Sequence, residues 1–273
     1  MKLNCSSEKL ERYIKLLDMQ NEAPEIVYYP SLFCQLSLPM ARTDEGLFTR
    51  DSGQIEMQLR TTCQLPYGSI ARRILYYTAN HLTQNGTVNW PKSQAALLKA
   101  MTLGNSGTDV KRFKTQFNAL SNTRFTVIRD GHQIIDDAFL FQRLEMPDQT
   151  KAFPQLSEAI KKHIYQSCTP LSKSAVEALI KTPFAFDLYT WLTWRAVSLK
   201  KPMTRISWRQ LHSQFASNQN LSSFKQSFKR QLMLVMQAYP AITDKVFWDQ
   251  SILTLKRYQP HIQPYQRQKA IHK

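Results

Sequence analysis

Glycine is scarce in this chain, with seven among 273 residues, and neither Gly-x-Gly-x-x-Gly nor a Lys-containing P-loop occurs. The scarcity argues against a β-barrel, and the missing motifs argue against a phosphate-cradling loop fold. Cysteine is scattered: Cys5, Cys34, Cys63 and Cys168 include no Cys-x-x-Cys pair, so neither a disulfide framework nor a structural zinc site is expected. Long apolar runs are missing too. Leu232–Met236 is typical, far short of a spanning helix, and no apolar signal core follows Met1-Lys2-Leu3-Asn4. A cytoplasmic protein without a membrane partner is the expectation.

Catalytic patterns are missing as well. No two of His81, His132, His163, His212, His261 and His272 stand two apart, so the His-hydrophobe-His pair that holds a metal beside a nicking tyrosine is not present. The tyrosines, such as Tyr76 and Tyr77, sit in apolar helical contexts. Asp136 and Asp137 lie on a presumed strand whose alternation sends them to opposite faces, a poor metal site. No Ser/His/Asp or Cys/His set can be nominated. The expectation is a protein that is not an enzyme and needs no cofactor and no metal.

Positive charge is abundant. Against 20 acidic residues stand 36 Lys and Arg, giving a formal net charge of +16 and a pI near 9.8. A polyanionic partner follows, nucleic acid before an anionic membrane.

Patterning shows where that partner would bind. Residues Pro66–Thr83 form a long amphipathic segment, with Ile70, Ala71, Ile74, Tyr77, Thr78 and His81 on one face. On that face His81 reads as a packed, hydrogen-bonded histidine. Arg72 and Arg73 fall off the face and are expected at backbone phosphate. A short strand at Thr87–Trp90, a helix at Ser93–Met101, a turn at Leu103–Gly107 and a basic helix at Thr108–Asn122 follow. Strands Phe125–Asp130 and Gln133–Arg143, bent at Gly131, close the series. Helix, strand, helix, turn, helix and hairpin in that order is the plan of a winged helix.

On the basic helix, Val110, Phe113, Phe117 and Leu120 make a core stripe. Thr108, Lys111, Arg112, Thr115 and Asn118 face the other way, with Lys114 beside them; these types pair with phosphates and base edges. Such a face is ordinarily only a solvated one, but a turn before it and a hairpin after it favour DNA recognition. Arg129 and His132 flank the wing bend and are expected at phosphate or the minor groove.

The same order returns downstream. Phe184–Val197 is an apolar-aromatic helix, Arg205–Trp208 a short strand, Gln210–Phe215 a short helix, and Ala216–Leu221 a polar turn. Ser222–Ala238 is a second basic helix with Phe224, Phe228, Leu232 and Val235 as its core stripe. Ser222, Gln226, Lys229 and Arg230 point away, and Lys225 flanks. A second hairpin follows at Ile242–Trp248 and Ile252–Lys256, so the architecture is duplicated.

The predicted fold class is therefore α+β, mainly helical, with two tandem winged-helix domains and β-hairpin wings. Residues 1–60 hold an N-terminal helix, an apolar Ala23–Pro39 segment broken by prolines, and a hairpin at Thr49–Leu59. They pack on the first domain, 61–146. The second domain spans 155–258 beyond a junction at Leu144–Gln155, and 259–273 is a basic disordered tail. The Thr49–Leu59 hairpin, as an edge element, could template a homodimer through the first domain.

Two stretches carry a family resemblance: Leu65-Pro66-Tyr67-Gly68-Ser69-Ile70-Ala71-Arg72, and Phe184-Ala185-Phe186-Asp187-Leu188-Tyr189-Thr190-Trp191-Leu192-Thr193-Trp194-Arg195. They resemble the hallmark stretches of plasmid-encoded RepA-type replication initiators, in the same order; the uncharged turn Leu103–Gly107 is a departure. The resemblance implies tandem winged helices that bind repeated origin sequences in double-stranded DNA and open the adjacent duplex. It also implies recruitment of the host replication initiator and replicative helicase, and repression of the protein's own promoter as a dimer. A sequence-specific winged-helix transcriptional repressor with no replication role is the alternative.

Overall fold

The computed structural model describes residues 25–83, 86–142, 155–215 and 219–262, and all of their side chains except those of 163–166. The expected N-terminal helix, most of the Leu144–Gln155 junction and the end of the basic tail lie outside the described residues.

Strand β1 (Ile26–Pro30) runs into a short helix α1 (Ser31–Gln35), where Pro30 ends the strand. Strands β2 (Leu47–Asp51) and β3 (Ile55–Arg60) form the expected hairpin. Helices α2 (Gly68–Asn80), α3 (Gln94–Ala100) and α4 (Gly107–Asn122) follow, then strands β4 (Arg124–Arg129) and β5 (His132–Phe139). The next elements are α5 (Glu158–Gln166), β6 (Cys168–Ser172), α6 (Lys173–Leu179) and α7 (Pro183–Ser198). Strand β7 (Met203–Ser207), helices α8 (Trp208–Phe215) and α9 (Leu221–Ala238), and strands β8 (Val246–Trp248) and β9 (Ile252–Lys256) complete the set. The fold is α+β. Fewer than half of the described residues are helical, so "mainly helical" overstates the helix content.

Two units emerge. The first takes Tyr29–Cys168 and Gln210–Asn218; the second takes Thr169–Arg209, the residues from Gln219 onward and those before Tyr29.

In the first unit, β2, β3, β4 and β5 form one antiparallel sheet in that order. The β2–β3 hairpin therefore continues the sheet of the wing instead of standing apart from it. Alternation turns Phe48, Ile55, Met57, Leu59, Phe125, Val127 and Ile135 to the core. Opposite them, Leu47, Thr49, Arg60 and Arg124 face outward. The proline-broken N-terminal segment is packed in: Tyr29, Phe33, Leu36 and Leu38 are buried, and the Phe33 ring meets Phe125 edge-on at 6.1 Å. A row of rings joins α2 to α4, with Tyr77 stacked on Trp90 at 5.4 Å, Trp90 edge-on to Phe117 at 5.9 Å, and Phe117 stacked on Phe141 at 5.3 Å.

Two expectations fail here for identifiable reasons. No strand forms at Thr87–Trp90; Val88 makes a single bridge with Leu82, and its amide donates to the Gln155 side chain at 2.6 Å. Arg72 and Arg73 are not at the surface. Arg72 is fully buried, and its guanidinium donates to the carbonyls of Leu38, Pro39 and Gly68 at 2.9–3.2 Å. Arg73 is 4% exposed and donates to Met101 O at 2.6 Å and to the Thr102 hydroxyl. The apparent second face of α2 is thus a contact surface for residues 38–40 and 101–102, so neither arginine can reach phosphate. His81, expected packed on the core face, is exposed just past the end of α2, although its ring stacks on Tyr77 at 3.8 Å with Nδ1 2.9 Å from Tyr77 O.

In the second unit α7 is nearly all buried, Phe186, Leu188, Tyr189, Trp191 and Leu192 being 0–1% exposed. It packs against α9, where Phe184 stacks on Phe224 at 5.9 Å. Strands β7, β9 and β8 form an antiparallel sheet in that order, so the expected strand at Arg205–Trp208 exists two residues earlier. Trp208 opens α8 instead. From Gln210 that helix groups with the first unit, where Gln214 Nε2 donates to Gln35 O at 2.6 Å.

Candidate nucleic-acid interface

Helix α4 starts where its sequence says it should. The Ser106 hydroxyl accepts from Asp109 N at 3.2 Å and donates to Asp109 Oδ2 at 2.7 Å, a capping box that fixes the first turn. Gly104 has no Cβ, which leaves room for that carboxylate. The buried face holds Phe113, Gln116, Ala119 and Leu120; Val110 and Phe117 are only half-buried, so the stripe is rotated slightly from the expected one. Gln116 belongs inside because its Oε1 accepts from Tyr67 N at 2.8 Å.

The nominated face is where the sequence placed it. Thr108, Lys111, Arg112, Lys114 and Asn118 are exposed, and Thr115 is half-buried with its hydroxyl donating to Lys111 O at 2.9 Å. None of Lys111, Arg112 and Lys114 forms an ion pair with another described residue. Three cations on one helical face, none ion-paired among the described residues, make a local positive field.

Two residues that sequence reasoning missed join this face. Tyr67 and Ser69, at the start of α2, line a cleft of about 210 Å³ together with Lys111, Arg112 and Thr115. The signal was available in Pro66-Tyr67-Gly68-Ser69, a helix start beside a basic helix, but only packing shows that the two meet.

The β4–β5 hairpin, the predicted wing, carries Arg129 and His132 as register partners, both exposed. The bend between them is Asp130-Gly131 with φ of 48° and 78°, the two-residue turn that Asp-Gly favours. Asp130 N donates to Gln54 O at 3.0 Å, so the β2–β3 turn lies beside the wing tip. Asp136 and Asp137 do not alternate simply, since Asp137 has φ 43° where the β4–β5 register shifts. Asp137 pairs with Arg124 and Asp136 accepts from Gln133, and no metal-binding cluster occurs among the described residues.

Helix α9 is capped by Asn220, whose side chain accepts from Ser223 N at 2.9 Å. Phe224, Phe228, Leu232 and Val235 are buried as expected, and Ser222, Gln226 and Arg230 are exposed. Lys225 and Lys229 are half-buried, with ammonium groups 5.9 and 5.6 Å from the buried Trp208 ring. Lys225 Nζ also donates to Gln250 O at 2.7 Å, and Trp208 Nε1 donates to Asp249 O at 3.1 Å. The Asp249 carboxylate accepts from the amides of Ser251 and Ile252, which hold it below the usual carboxylate range. In the second unit the basic helix is thus tied to its own hairpin turn, whereas in the first the basic face is unengaged.

Among the described residues no helix is long and apolar enough to cross a membrane. No curated protein matches the chain. Among solved structures, a crystal structure of domains 2 and 3 of RctB aligns at 10% identity over 86% of this chain and 99% of that one, with a TM-score of 0.47. A second structure of RctB domains 2–3 aligns at 11% identity over 83% and 96%, with a TM-score of 0.43. The family described as plasmid encoded RepA protein matches residues 94–210, which span α3, α4, the wing, α7 and the start of α8. Over that stretch, a little under half of its length, the chain is similar to plasmid encoded RepA proteins.

Proposed function

We propose that this chain is a plasmid replication initiator that works by binding double-stranded DNA at repeated sequences of its replication origin, with α4 as the principal reading helix in a winged-helix arrangement. The basic face of Thr108, Lys111, Arg112, Lys114, Thr115 and Asn118 is the observation that carries the reading. It lies on the last of three helices, directly before a hairpin whose tip bears Arg129 and His132, which suits groove entry by the helix and backbone contact by the wing. In the second unit Ser222, Gln226 and Arg230 are the exposed candidates, with Lys225 and Lys229 available to phosphate from the Trp208 side. Origin opening, recruitment of a host initiator and helicase, and a homodimer through the first unit complete the proposal, acting in the bacterial cytoplasm without enzymatic chemistry.

The test is whether the gene, with its upstream repeats, sustains replication of a small circle that otherwise fails to replicate. Loss of replication with K111Q/R112Q, in parallel with loss of footprinting on the repeats, supports the proposal. Footprinting with no replication by the wild-type chain would favour the repressor reading instead.

A further inference from the structure

At the end of the first unit's sheet away from the wing, four register partners make one row across all four strands: Leu47 opposite Arg60, Arg60 opposite Arg124, and Arg124 opposite Phe139. They line a groove of about 540 Å³ with Gly46, Thr61, Thr62 and Asn122. Its ends are apolar and its middle is cationic. Leu47 is 50% exposed, one of five large apolar side chains so exposed among the described residues.

Two arginines directly opposite one another on a sheet repel. Arg124 is compensated by Asp137 and lies over the Phe139 ring at 4.6 Å. Arg60 has no such partner; its NH2 donates only to the neutral Gln58 side chain, at 3.1 Å. The row therefore leaves one cation without an acidic partner among the described residues, between an exposed Leu47 and a half-buried Phe139. The Thr61 hydroxyl donates to Asn122 O at 3.2 Å, which covers the C-terminal carbonyl of α4 that would otherwise repel an anion there.

The groove lies at the opposite end of α4 from its first turn and of β4 from the hairpin tip, with Asn118, the last residue of the face assigned to DNA, one turn from Asn122. Asn122 is fourteen residues along α4 from Thr108, roughly 20 Å at 1.5 Å per residue. Arg124 and Arg129 are at opposite ends of β4, roughly 17 Å apart at strand rise. An occupant here need not compete with duplex bound at the other end.

We infer that this groove docks a short acidic peptide of a partner protein, a carboxylate set between Arg60 and Arg124 and flanking apolar side chains laid against Leu47 and Phe139. Charge complementarity selects the occupant, because a carboxylate suits the cationic middle of the row and apolar side chains suit its two ends. Simultaneous binding with DNA rests on the proposed function; the peptide site itself does not.

The experiment is fluorescence anisotropy of the full chain with a labelled peptide, Gly-Leu-Asp-Phe-Glu-Gly, against the control Gly-Leu-Asn-Phe-Gln-Gly. Saturable binding of the acidic peptide is expected, at least ten-fold weaker for the control. The same loss is expected for R60Q and for L47S, two exposed positions whose thermal unfolding stays at the wild-type value. Origin duplex added to saturation leaves peptide binding unchanged, and R60Q binds duplex as the wild type does. No binding of the acidic peptide overturns the inference, as does equal binding of both peptides. Competition by duplex, with R60Q weakening DNA binding, makes the groove a nucleic-acid surface instead. A changed sedimentation coefficient for R60Q makes it a self-association surface. Failure of DNA binding by the wild type with peptide binding intact would sink the proposed function alone.

Discussion

Adjacent buried arginines on α2 do different jobs, and replacing each by methionine separates stability from DNA binding. Arg72 is fully buried and donates to three carbonyls, two of them on the segment that precedes β2. Arg73 donates to Met101 O and the Thr102 hydroxyl, at the turn between α3 and α4, while its Nε lacks a partner in the structure. Burial without a carboxylate pushes the Arg73 pKa down, so its charge is held at a cost. A hydrogen bond from a charged group contributes about 1.5–3 kcal/mol, and an orphaned buried group costs about 1–3 kcal/mol. Removing Arg72 strands three acceptors and should cost about 3–5 kcal/mol on that scale. Removing Arg73 strands fewer acceptors and relieves the unpaired Nε, so about 1–3 kcal/mol is expected. The order reverses for DNA. Thr102 is held at φ 53° beside the Arg73 contact, and freeing it loosens the turn that aims α4. R73M should therefore weaken duplex binding by about ten-fold, or 1.4 kcal/mol, under conditions where R72M is still folded and binds nearly as the wild type. Urea unfolding and duplex titration of both variants give the two numbers. If R73M and R72M lose DNA affinity in proportion to stability, the positioning argument is wrong.

Three further outcomes follow from the geometry. His261 is enclosed by Tyr239, stacked at 4.5 Å, and by the Tyr189 hydroxyl, 3.0 Å from Nδ1; burial lowers its pKa from 6.5 to about 4. The neutral ring is favoured by folding, so this stability is complete above pH 6.5 and falls as pH drops toward 4, by up to about 3 kcal/mol at 1.36 kcal/mol per unit; H261F should flatten that part of the pH–stability curve. Gly131 sits at φ 78°, and G131A should cost about 1 kcal/mol, read as a lower melting temperature with the wing amides exchanging faster. If both units read one repeat, inserting about 5 base pairs within it turns one groove away and binding should drop to that of a half-repeat; unchanged affinity would separate the units' roles.

Much of the first unit was legible because its signals are local. Period-3.6 apolar residues mark α2 and α4, and Gly131 marks the bend between β4 and β5. What the sequence hid depends on segments distant in the chain. Arg72 and Arg73 read as surface charges because one helix's periodicity cannot reveal that residues 38–40 and 101–102 cover its second face. Gln116 is absent from the predicted core stripe because its partner, Tyr67 N, lies 49 positions away. Thr87–Trp90 has strand composition, yet the Gln155 side chain takes its ladder amide. The exposed basic face of α4 was visible, since solvent-facing cations are set by the helix alone. Its neighbours Tyr67 and Ser69 were not, since a cleft needs two elements.

The most direct test of the central claim is the salt dependence of binding to an origin-repeat duplex. Each phosphate neutralised contributes about −0.9 to the slope of log K against log salt. The wild-type chain should give a steep negative slope, and K111Q/R112Q should reduce its magnitude by about 2 while leaving the fold intact. A slope that does not change in the double variant, or binding indifferent to salt, would contradict the assignment of α4 as the DNA-reading helix.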